Sequence, residues 1–167
     1  MNQIQTFQKL VDLLGHSEND PELQALFIEL GEKFPLKRPK SDETGYLLED
    51  NKKKNRGFHL GFRYADTLPL IKNDEIFKEG EMVFDAIQGI DIEKYEEVIF
   101  PFGLTWWMSL GEVIKLLGSN YYKSEARNFY VWRKDDIIIR LEFDEEQDLY
   151  DIIYRLVWDV DLEKFGY

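Results

Sequence analysis

The chain has 167 residues, 44% of them hydrophobic and 15% aromatic, with a formal net charge of −12 and no cysteine. That length fits one domain that buries about two thirds of its extended surface, and the apolar share excludes the composition of a disordered chain. The acidity, shared by both halves, argues against direct contact with a nucleic-acid backbone, and the missing thiols exclude disulfides, thiolate metal sites and cysteine nucleophiles.

Taken in chain order, Phe7, Leu10, Val11 and Leu14 fall at i, i+3, i+4 and i+7, one apolar stripe on a helix that Gly15 closes. Asp20-Pro21 supplies an N-cap and a proline at the first helical position, and Leu23, Leu26, Phe27 and Leu30 repeat the stripe up to Gly31. The prolines and mixed charges between Phe34 and Gly45 predict a loop. Tyr46 to Glu49 then reads as a strand, Asp50 to Arg56 as a turn, and Phe58, Leu60, Phe62 and Tyr64 as one face of a second strand. A weak strand is expected around Leu70 and Ile71 and another over Met82 to Ile87, with Gly80 and Gly89 as turn residues.

The second half opens on IDIEKYEEVIFPFGLTWWMSLGEVIKLLG, where Ser109 and Glu112 have capping-box spacing and Leu110, Val113, Ile114 and Leu117 form a stripe closed by Gly118. Phe129 to Trp132, Ile137 to Phe143 and Tyr150 to Trp158 predict an antiparallel meander. In its middle strand Ile137, Ile139, Leu141 and Phe143 share one face, and Arg140 and Glu142 share the other, which is expected to meet solvent. FQKLVDLLG is similar to LGEVIKLLG, and YLLEDNKKKNRGFHLGF to FYVWRKDDIIIRLEF. The expected fold is therefore α+β: two tandem units, 1–98 and 99–167, each of helices on antiparallel sheet, forming the single domain 1–167.

Catalytic signatures are sparse. His16 and His59 are the near-neutral proton carriers, and their positions in a loop and in the solvent-facing register of a strand suit ordinary surface residues. No metal, phosphate or cofactor motif occurs, and the acidic run Asp144, Glu145, Glu146, Asp148 lacks the donor pattern of a calcium loop. The aromatic pair is more informative: in an extended segment Trp106 and Trp107 point to opposite faces, so one is expected outside, as at an interaction hot spot or beneath a neighbouring loop. The negative field suits a basic protein partner, and it serves solubility equally.

The stretches LVDLLGHSENDPELQALFIELGEKFP and PFGLTWWMSLGEVIKLLG, with the strands FYVW and IIIRLEF after them, resemble bacterial polymorphic-toxin immunity proteins; the second stretch is similar to the unit found in β-lactamase inhibitor proteins and outer-membrane assembly lipoproteins. The resemblance implies a protein that binds and neutralises a cognate toxin, of nuclease type and basic. The absence of a lipobox cysteine departs from the lipoprotein branch. With no signal peptide or membrane-length apolar run, a cytoplasmic location and no membrane partner are expected. Trp106 and Trp107 are the expected anchors, and Asp135, Asp136, Glu142, Asp144, Glu145 and Glu146 the charged rim. A small ligand-binding or hydrolytic domain using surface carboxylates, and a structural adaptor, remain as rival readings.

Overall fold

A computed structural model describes residues 1–71 and 77–166. Helices α1 (Gln3–Leu13) and α2 (Pro21–Glu29) precede strands β1 (Gly45–Leu48), β2 (His59–Tyr64) and β3 (Met82–Gln88). Helix α3 (Leu110–Leu117) precedes β4 (Tyr121–Lys123), β5 (Phe129–Lys134), β6 (Ile137–Phe143) and β7 (Leu149–Leu156), and α4 (Asp159–Phe165) follows. The strands form one antiparallel sheet in the order β1-β2-β3-β7-β6-β5-β4. The last strand of each half thus meets the other at the centre, where Ala86 faces Arg155 and Ile87 faces Tyr154. The chain is an α+β domain.

The helix ends follow local chemistry. Asp20 Oδ1 accepts from the N–H groups of Glu22 and Leu23, with Pro21 at the first helical position. Ser109 Oγ accepts from Glu112 N while Glu112 Oε1 accepts from Ser109 N, closing the capping box ahead of α3. Gly15 and Gly118 take the positive φ that ends α1 and α3 without the steric cost of a Cβ.

Phe7, Leu10, Leu23, Phe27, Val113 and Leu117 carry α1, α2 and α3 onto one sheet face, where they join Leu60, Phe62, Phe84, Trp132, Ile139, Leu141 and Tyr154 in a single core. The loop expected from Phe34 to Gly45 holds no helix or strand before β1 begins. Leu70 and Ile71, expected as a strand, lie in a turn after Pro69, whose ring nitrogen has no hydrogen to give a sheet ladder.

The opposite sheet face departs most from expectation. Val131, Ile138, Val157 and Leu162 make a second core beneath α4, so the face shared by Arg140 and Glu142 is only partly solvated. The last strand ends at Leu156, and Trp158 becomes the residue that starts α4. Its indole lies between two guanidinium groups, with the carbons of Arg63 and Arg155 4.9 Å and 3.9 Å from the ring centre. Asp161 holds Arg155 through two contacts, 2.5 and 3.0 Å, and accepts from Tyr122 and Trp158 N. Arg63 Nε donates to Asp85, whose carboxyl burial nevertheless pushes above the usual range.

Candidate protein-binding site

The segment Ile99 to Leu110 is bonded at nearly every step. Phe100 N donates to Leu104 O at 2.8 Å, and the buried Tyr154 hydroxyl donates to Pro101 O at 2.7 Å. Trp106 Nε1 donates to Tyr95 O, Trp107 N to Leu149 O, Leu149 N to Met108 O and Leu110 N to Gln147 O. The loop is therefore zipped to the start of β7 and to the turn between β6 and β7.

Two bulky residues in this loop have left-handed backbones, Phe102 at φ 69° and Trp107 at φ 65°. Such conformations are costly for large side chains and persist only where surrounding bonds over-determine them. Both side chains meet solvent, Phe102 at 39% and Trp107 at 54% exposure, whereas Trp106 is buried at 6% against Phe100. Trp106 was expected as a contact residue; its donor is consumed by Tyr95 and its ring belongs to the core.

Trp107 borders an open depression of about 480 Å³ shared with Ile92, Asn128, Phe143, Asp144, Glu145 and Tyr150. Its acidic wall is a stapled turn. Asp144 Oδ1 accepts from Glu146 N and Asp148 N, both at 2.9 Å, while Asn128 Nδ2 donates to Phe143 O, Asp144 O and Gln147 Oε1. Glu145 and Glu146 are exposed, as are Glu93, Glu96 and Glu97 on the segment that carries Ile92. The Tyr150 ring is fixed by its hydroxyl, which donates to Glu142 and is raised above the usual phenol range by that carboxylate.

Glu142 itself is withdrawn from the rim. It is buried between Arg127 and Tyr150, with Arg127 Nη2 2.6 Å from Oε1. Asp135 and Asp136 are exposed in the β5–β6 turn, at the far end of β6 from Asp144, and that strand spans about 20 Å. The expected rim thus divides: Trp107, Asp144 and Glu145 come together with Glu146 in the adjoining turn, and Asp135 and Asp136 stand apart.

No family model, curated protein or solved structure matches this chain.

Among the described residues no three of His, Cys, Asp and Glu gather in a way that could hold a metal ion, and no helix is long and apolar enough to cross a membrane. Both histidines are engaged within the fold: His16 Nδ1 pairs with Asp20 Oδ2 at 2.9 Å, and His59 Nδ1 accepts from Asp50 N at 2.8 Å. A larger hollow, about 720 Å³, lies between residues 31–37 and β1 and is lined by Lys33, Lys37, Lys53 and Lys54. Glu32 there is shared by Lys54 and Arg56. This positive corner was not foreseen. The run Lys52 to Arg56 showed its charge in the sequence, but its meeting with residues 31–37 is a tertiary event.

Proposed function

We propose that the chain is a binding protein of the immunity type, which neutralises a basic toxin domain by stoichiometric contact and catalyses no reaction. The observation that carries this reading is Trp107: a large indole held outward on a strained, extensively hydrogen-bonded loop beside an acidic turn. Exposed tryptophan on a rigid support is the usual anchor of a protein interface, and an acidic surround speeds the approach of a cationic partner. Preorganisation matters because a loop already ordered loses little entropy on binding. The action would lie in the cytoplasm, where the toxin domain would meet its target.

Co-expression with a toxin domain encoded beside its gene tests the reading. Growth rescue and one-to-one co-purification are the expected results. A neighbouring toxin that still kills, or a neighbourhood that encodes none, removes it.

A further inference from the structure

The fold repeatedly builds one arrangement, in which a guanidinium stacks on an aromatic ring while a carboxylate meets its edge. Arg155 lies over Trp158 at 3.9 Å and pairs with Asp161; Arg63 lies over the same indole at 4.9 Å and pairs with Asp85. Arg140 lies over Phe129 at 4.0 Å, with Glu142 3.8 Å from its Nη2. The planar, weakly hydrated guanidinium suits this environment better than an ammonium does.

The depression at Trp107 has the same ingredients without a resident cation. Trp107 and Tyr150 supply rings and Asp144 and Glu145 supply carboxylates, while among the described residues no lysine or arginine lines the cavity. Asp144 spends Oδ1 on its own turn, and Oδ2 accepts no hydrogen bond from the described residues. Phe143 and Ile92 add apolar lining to the space, which would strengthen an ion pair formed beside them. Resting on the inhibitor reading above, and naming what that site takes, we infer that this depression receives an arginine side chain projected by the partner protein. The guanidinium stacks on Trp107 and is bound at its edge by Asp144 and Glu145.

The test uses the full chain labelled with 5-fluorotryptophan, whose four tryptophan positions give separate fluorine resonances, the one from Trp107 assigned through Trp107→Phe. The probes are three acetylated and amidated tripeptides, Gly-X-Gly, in which X is arginine, lysine or the neutral arginine isostere citrulline. The arginine peptide is expected to shift the Trp107 resonance saturably, the lysine peptide more weakly, and citrulline not at all. Asp144→Asn keeps the Oδ1 acceptor that closes the turn, and Glu145→Gln alters an exposed side chain; each should weaken the arginine titration about threefold to fivefold. An unmoved Trp107 resonance, or equal shifts from arginine and citrulline, overturns the inference. Failure here beside successful toxin rescue removes the arginine guest alone. Saturation in a chain that rescues no toxin keeps the guest and removes the inhibitor reading.

Discussion

At φ 65°, Trp107 carries a backbone conformation that costs about 1–3 kcal/mol for a bulky side chain, and glycine would adopt it freely. Trp107→Gly is therefore expected to raise stability by about 1 kcal/mol in urea denaturation, while lowering affinity for the proposed toxin partner by about 30-fold or more, as loss of an interface anchor does. A fall in both quantities would show that the indole is a packing residue. The alternation of side chains in an extended segment was enough to place one of the two tryptophans outside. Which one could not be read, because the decision lies with Trp107 N bonding to Leu149 and Trp106 Nε1 bonding to Tyr95, contacts distant along the chain. Glu142 shows the same limit. Its position opposite Ile139 and Leu141 was legible from period two, but its burial comes from Arg127 and Tyr150 on other segments.

Helix α3 was legible because its start and stop signals are local: Ser109 and Glu112 at one end, Gly118 at the other. Helix α4 was not, since it begins directly after β7 at a tryptophan, and its cap is Asp161 reaching back to Trp158 N. The three-residue β4 falls below the length at which alternation can be seen, and its pairing depends on β5. Asp161 is the residue that fastens α4 to the sheet. Asp161→Asn leaves Arg155 buried beside a neutral amide and is expected to cost about 3 kcal/mol, measured by urea denaturation. Arg155→Met combined with Asp161→Leu should recover only part of that loss: the apolar pair needs no ionic partner, but Trp158 N and the Tyr122 hydroxyl lose their acceptor.

Across the whole molecule, charge and burial set two solution properties. With a net charge of −12, association with a basic partner should slow by about tenfold or more between low salt and half-molar salt, as followed by stopped-flow fluorescence, while dissociation changes little. Burial pushes the phenols of Tyr46, Tyr95 and Tyr122 up to about 12, with Asp161 adding to the effect at Tyr122. The folded state thus favours the neutral phenol. The stability it contributes is fully present below the ordinary value of about 10 and is lost as pH rises from there to 12. Denaturation midpoints should hold through pH 9 and fall by pH 11, ahead of the tyrosinate absorbance of these late-titrating groups in the folded protein. The α+β class was legible in the periodicities. The joining of the halves through β3 and β7 was not, because two strands that end their segments carry no mark of each other. That seam has a consequence for how the protein is made. β7 starts about 60 residues after β3 ends, so during synthesis β3 remains a bare edge until that whole stretch has been translated. A nascent chain stalled before Leu149 would expose that ribbon to any passing strand, and so is expected to bind chaperones more readily than a chain in which β7 has paired.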